Sequence, residues 1–588
     1  MTSSPASRLE ALKRRVGGNR EKNRYESTYG PGPEERLGIT PPGKSERRVL
    51  SELNFALQLS AAENGRFDRE AEAALTLLEK AMDRDGVLTN GACAEAEAAL
   101  LPAAGAAKEY ALIYCGHAHI DMNWEWGWNE TVATTLATFR TVLDLMEEYP
   151  SFTFMQSQAS CYKIAEEYDP ALAERIKDKI AERRWEVTAG AWVETDKNMP
   201  DTESLLRHVR LTRDYLQRVW GVEPASLRID FSPDTFGHSR HIPELDRFSG
   251  LKYCYHCRGL QDDRVLYRYR APSGKELLMY REPYWYNSGV NPDNGTGLIA
   301  LSRICAGLKT GLIVYGVGDH GGGPTRRDIE RVLEMSEWPV FPAIRFGRLD
   351  EFFALAEKEV GDRLETVEHE LNAFAPGCYS TQSRIKRANR ECERSLLDAE
   401  RLCALGAIAV GADYPREKFE QAWEKVLFTH FHDILTGSCV RESREYALGL
   451  YQQALAVSQT AEAAALRKLA EAIDTSAFIC PEELSDTTAE GAGAGRLRFG
   501  VPNPERGVGK TRVYAVFNPA SVDREENAAV TVWDYAGDIT RLEALDAEGK
   551  PLELALEEGM PIKYWDHRYT DARVRVKCAH TCADFGMS

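Results

Sequence analysis

The chain has 588 residues, a net charge of −18 at pH 7, 43% hydrophobic residues and 9% aromatics. That length exceeds a single core and implies three or four domains, while the apolar content excludes a disordered chain. The acidic balance argues against a nucleic-acid partner, because phosphate binding needs a basic face. The N-terminal segment, M-T-S-S-P-A-S-R-L-E-A-L-K-R-R, has no apolar core of a secretory signal. No apolar run of about 18 residues is present, so no membrane span is expected. Thirteen scattered cysteines suit reduced thiols and a cytoplasmic location. Cys254-x-x-Cys257 and Cys578-x-x-x-Cys582 lack a second half-site and read as plain thiols.

Residues 1–46 are polar and rich in Gly, Pro and Arg, which predicts a flexible arm. Residues 47–105 follow a helical pattern and read as a helical lead-in docked on the main domain. From 106 to 376 strands alternate with helices, predicting an α/β catalytic domain with a parallel, barrel-like β/α sheet. The strand candidates are Ala111–Cys115, Phe152–Gln156, Trp185–Trp192, Leu227–Phe231, Lys252–His256, Leu312–Val317 and Ile344–Phe346. Helices are expected over Thr131–Glu148, Pro170–Arg183 and Thr202–Val219. Residues 377–480 hold three amphipathic segments, Gln382–Leu405, Lys418–His432 and Ser443–Ile473, read as a three-helix bundle. Residues 481–510 read as a linker. Strand-like text at 511–519, 528–533 and 572–578 makes 511–588 the beginning of a β-sandwich, expected to be truncated.

Four segments carry candidate chemistry. Cys115–Trp128, C-G-H-A-H-I-D-M-N-W-E-W-G-W, follows the first strand. Alternation along an extended chain lets His117, His119 and Asp121 share one face, which suits a Zn²⁺-like cation. Trp124, Trp126 and Trp128 offer flat apolar rings for the C–H face of a sugar. Phe231–Ser239, F-S-P-D-T-F-G-H-S, puts Asp234 on a turn with Phe236 alongside. A helix-capping aspartate is the ordinary reading of that turn. In Thr429–Ser438, T-H-F-H-D-I-L-T-G-S, His430 and His432 are two apart on a helix. They should face different ways, so one reaches the site, and nothing local says which. In Tyr315–Pro324, Y-G-V-G-D-H-G-G-G-P, the glycines predict a close approach of backbone to ligand.

Taken together, these segments resemble glycoside hydrolase family 38, the α-mannosidases. Supporting matches include S-Q-A-S-C-Y at 157–162, A-W-V-E at 191–194 and I-K-R-A-N-R at 385–390. The resemblance implies one zinc ion per chain held by His119, Asp121, Asp234 and His432, so the bundle contributes a ligand. It also implies Asp234 as nucleophile and Trp124 as the ring that stacks on the sugar. Phe236, Arg258, Tyr286 and Asn287 are further candidate substrate contacts. Asp319 is the acid/base candidate, with His320 as its rival.

The implied activity is retaining, zinc-dependent hydrolysis of terminal α-linked mannose from oligosaccharides or glycans. Such a mechanism needs two carboxyl groups about 5 Å apart. The alternatives are a metal-dependent carbohydrate deacetylase or phosphoesterase, which needs no nucleophilic aspartate, and a sugar-binding fragment. The expected partner is an α-mannoside oligosaccharide, with neither nucleic acid nor membrane. A homo-oligomer is compatible with this reading.

Overall fold

A computed structural model describes residues 4–17, 43–318, 320–478, 510–535, 537–564 and 567–580. The chain divides into two compact units, Met1–Glu391 with Glu424–Tyr451, and Cys392–Trp423 with Gln452–Ser588. The three segments expected as one bundle are therefore shared between the units.

The first unit contains strands β1 (Ala111–His117), β2 (Phe154–Gln156), β3 (Trp185–Val187), β4 (Ile229–Ser232) and β5 (Tyr253–His256). It continues with β6 (Leu266–Arg270), β7 (Glu276–Arg281), β8 (Thr310–Tyr315), β9 (Ala343–Phe346) and β10 (Thr366–Val367). The parallel α/β architecture is built as two five-stranded sheets. One runs β3-β2-β1-β8, with β9 paired to the first half of β1. The other runs β10-β6-β7-β5-β4, parallel except for the β6–β7 pair. All seven strand candidates fall on strands, whereas β6, β7 and β10 were not anticipated. The near-continuous burial of β1 and β8 explains why both read as apolar runs.

Helices Trp128–Glu148, Pro170–Ala181 and Thr202–Trp220 return the chain between strands. The last is bounded by local chemistry. The Asp201 carboxylate accepts the Ser204 amide at 2.7 Å, and Gly221 closes the helix at φ 65°. β4, β5 and β7 run parallel in one sheet and β1, β2, β3, β8 and β9 in the other, so within each sheet the segments after these strands leave from the carboxyl ends. Parallel sheets form their sites there.

One expectation about the N-terminal residues needs correction. Pro5–Gly17 is a helix with Leu9 and Leu12 buried, not part of a flexible arm. Arg8 fixes it by donating to Glu79 at 3.1 and 2.5 Å and to Glu72 at 2.5 Å. Residues 18–42 of that arm lie outside the described residues. The lead-in helix Lys44–Ala62 docks through Phe55, whose ring lies 6.0 Å from Tyr110 and 5.9 Å from Phe341.

In the second unit, β11 (Arg524–Tyr535), β12 (Ala544–Leu545), β13 (Pro551–Leu552), β14 (Leu554–Tyr564) and β15 (His567–His580) form antiparallel pairs. Val532, Ala572 and Val574 make the sheet's small core. The strand-like text at 511–519 forms no strand. The linker read at 481–510 lies outside the described residues except for Lys510.

Candidate metal and sugar site

β1 stops at His117, and His119 and Asp121 follow it on either side of Ile120, which bridges His320. His119 and Asp121 face each other as expected, whereas His117 does not join them. The His117 ring packs 4.7 Å from Phe231, and its Nδ1 lies 3.2 Å from the Met155 carbonyl. Burial pushes this imidazole down to about 3, which keeps it neutral.

His119 and Asp121 meet two partners from distant segments. His119 Nδ1 is 3.7 Å from Asp121 Oδ1. His432 Nε2 is 3.6 Å from the same oxygen and 4.0 Å from Asp234 Oδ2. His119 Nδ1, Asp121 Oδ1 and His432 Nε2 are all buried without a hydrogen-bond partner. Unpaired buried donors and acceptors are expensive, so three facing one another call for a shared ligand. Donors about 2.1 Å from a tetrahedral ion lie roughly 3.4 Å apart, close to the spacing here. The donor set fits a divalent cation.

The carboxylate of Glu194 lies behind these atoms. Burial opposes its charge, but His432 and His119 outweigh burial and hold it down at about 2. Burial likewise opposes a charged His119, yet Glu194 and Asp121 raise that ring to about 9. Burial drives Asp121 well above the usual carboxylate range. These shifts describe protons competing for atoms that a metal would take.

Asp234 lies past β4 and caps no helix, since the next one begins at Ile242. Its Oδ2 accepts the Tyr286 hydroxyl at 3.0 Å, and its Oδ1 accepts from the Arg258 guanidinium. That guanidinium lies 4.4, 4.7 and 5.6 Å from the rings of Phe374, Trp285 and Phe236. The Phe236 ring also stands 5.9 Å from His432.

Two stretches of sequence match known family models. Residues 109–373 match the Glycosyl hydrolases family 38 N-terminal domain, and residues 374–469 the Alpha mannosidase middle domain. The chain belongs to glycosyl hydrolase family 38. It is 30% identical over 347 residues to Alpha-mannosidase G of Dictyostelium discoideum, covering 58% of this chain and 32% of that protein. It is 28% identical over 367 residues to human Alpha-mannosidase 2C1, covering 59% of this chain and 34% of that protein. The matched stretch thus spans about a third of each relative. An α-mannosidase structure from Enterococcus faecalis V583 shares the fold, with a TM-score of 0.60 and 20% identity. That likeness covers 80% of this chain and 54% of the other.

In this family 38 member, His430 and His432 lie beyond the helix Arg416–Thr429, not on it. They lie in turn, with Phe431 between them bridging antiparallel to Thr195. His430 Nε2 lies 2.6 Å from Asn389 Oδ1, away from the cluster. Trp124 is half-buried beside Trp126, with ring centroids 5.9 Å apart. Asn287 is exposed and packs against Gly318, where an added Cβ would lie 2.9 Å from its Nδ2. His320 is exposed and pairs through its backbone with Ile120. Asp319 lies outside the described residues.

The glycines around Asp319 have a different cause from the one expected. A Cβ on Gly316, at φ +134°, would lie 2.1 Å from the His117 carbonyl. Gly321, at φ +78°, donates its amide to the His119 carbonyl at 3.0 Å. The glycines let the loop lie against the end of β1, a backbone-to-backbone approach.

Glu194, Asp433 and Trp285 were not identified as site residues from sequence. Asp433 Oδ2 stands 3.1 Å from His432 Nε2. Glu194 was detectable as a carboxylate just past a strand, the same position that singled out Asp234.

Proposed function

We propose that the chain is a retaining, zinc-dependent α-mannosidase acting on terminal α-linked mannose. The observation that carries this reading is the convergence of His119 Nδ1 and His432 Nε2 on Asp121 Oδ1 in a buried site, with the Asp234 carboxylate 4.0 Å from His432 Nε2. Two imidazoles and two carboxylates suit Zn²⁺. When bound, the ion would chelate two adjacent sugar hydroxyls and favour the twisted ring of an oxocarbenium-like transition state.

The protein's own groups supply the remaining chemistry. Asp234 attacks the anomeric carbon and forms the glycosyl-enzyme. Arg258 and Tyr286 hold its two oxygens, which fixes the carboxylate's direction of attack. Asp319 protonates the departing oxygen and then takes a proton from water. Trp124 and Phe236 pack on the apolar face of the sugar. The absence, among the described residues, of a helix long and apolar enough to cross a membrane is compatible with a cytoplasmic enzyme.

The two carboxylates can be separated with an activated aryl mannoside, whose leaving oxygen needs little protonation. Asp319→Ala should give a burst of aryl alcohol followed by slow turnover that azide accelerates. Asp234→Ala should give neither. A burst from Asp234→Ala would overturn the nucleophile assignment. A burst from His320→Ala with wild-type behaviour of Asp319→Ala would move the acid/base role to the histidine.

A further inference from the structure

Glu194 connects to all three segments that carry the donor atoms. Its Oε2 accepts His119 Nε2 at 2.7 Å. Its Oε1 accepts the backbone amides of Asp234 and Thr235, each at 2.7 Å, and the Thr235 hydroxyl at 3.2 Å. Its main-chain carbonyl accepts the His432 amide at 3.1 Å and lies 3.3 Å from His432 Nδ1. Its own amide donates at 2.9 Å to Gln158 Oε1, and Gln158 Nε2 donates at 2.8 Å to the Ile120 carbonyl, between His119 and Asp121.

These contacts determine where the imidazole protons sit. A carbonyl only accepts, so His432 Nδ1 carries a proton, and Nε2 is the nitrogen whose lone pair becomes available once a metal displaces the proton there. An ionised carboxylate also only accepts, so His119 Nε2 carries a proton, and Nδ1 is the nitrogen that gives up its proton to a metal. These two nitrogens are the two that face Asp121 Oδ1, with Asp433 Oδ2 also 3.1 Å from His432 Nε2. We propose that Glu194 is the positioning residue of the site, fixing the tautomers of His119 and His432 and the placement of Asp234. The inference rests on the metal-binding reading above. In this proposal Glu194 acts through the imidazoles, its carboxylate oxygens being engaged by His119, Asp234 and Thr235.

Glu194→Gln separates tautomer control from packing. The amide oxygen still accepts the Asp234 and Thr235 amides, but the NH₂ then faces His119 Nε2 and donates. That moves the His119 proton onto Nδ1, the atom meant for the metal. Zinc affinity, measured by chelator competition on the full chain, should fall about 10–100-fold, as for other partners of metal-bound histidines. The melting temperature of the metal-free protein should stay near wild type. Unchanged affinity with a folded variant would overturn the proposal. A loss far beyond about 100-fold would make Glu194 a ligand itself and also overturn it. If the variant does not fold, ¹⁵N spectra of zinc-loaded, histidine-labelled wild type decide the matter. His119 should be protonated at Nε2, and protonation at Nδ1 refutes the proposal. If wild type fails to bind zinc, the metal-binding reading falls and takes this inference with it.

Discussion

Two buried carboxylate clusters in the first unit balance their charge in opposite ways. In one, Lys197 Nζ lies 3.0 Å from each oxygen of Asp230, and Ser232 donates to Asp230 at 2.7 Å. Burial opposes the Asp230 charge, but Lys197 outweighs burial and lowers its pKa. Burial, with Asp230 beside it, pushes Asp246 well above the usual carboxylate range, so Asp246 stays protonated. This cluster contains its own cation. In the other cluster, the equally buried Asp121 faces His119, His432, Asp433 and Asp234, and its Oδ1 has no hydrogen-bond partner. A buried charge needs a counter-ion. The first cluster carries one on its own chain, and the second is shaped to take one from outside.

Removing the cation of the first cluster and a cation-binding atom of the second should therefore have opposite signatures. His119→Ala should lose zinc by more than the roughly 10–100-fold expected for an outer partner, and turnover with it. Metal content and turnover measured on one preparation check this. Full zinc occupancy in that variant would remove His119 from the ligand set. Lys197→Met should keep zinc stoichiometry and instead leave Asp230 buried and unpaired, a loss of about 3–5 kcal/mol. Urea unfolding provides that measurement. Wild-type stability would mean that Asp230 takes up a proton at little cost, and the contrast between the clusters would weaken.

Much of this contrast was legible in the sequence, and the illegible part has a consistent cause. The seven strands found from apolar runs are those whose burial is nearly continuous or whose ends carry polar residues. β6, with the text L-Y-R-Y-R, alternates arginine with tyrosine at a sheet position that leaves alternate residues half-buried, so no apolar run marked it. His119, Asp121, Asp234 and His432 stood out because each follows a structural terminus in a distinctive motif. Glu194 did not, because its work is done by both carboxylate oxygens and a main-chain carbonyl at once. No residue type or spacing advertises that. The glycines of 316–323 were noticed for the right property, but their partner is the end of β1, which only the register of β1 with β8 brings alongside.

A third buried carboxylate has neither a lysine nor a place among the donor atoms, and it should behave as an intermediate case. Glu282 follows β7, is 4% exposed, and accepts the Tyr255 hydroxyl at 3.0 Å and the Tyr284 amide at 3.1 Å. Burial pushes it from its ordinary 4.5 up to about 8, and these two hydrogen bonds only partly offset that. The folded protein thus holds this proton more tightly than the unfolded chain does. Its contribution to stability is complete below about pH 4.5 and is lost as pH rises towards about 8. One proton limits the slope to about 1.4 kcal/mol per pH unit. Glu282→Gln keeps the shape and cannot ionise, so its urea midpoint should gain on wild type steadily from pH 5 to pH 8. Zinc content should be the same in both proteins. Parallel curves would mean that Glu282 ionises in the folded state at no cost, and the two tyrosine contacts would then have to replace the counter-ion that the other clusters require.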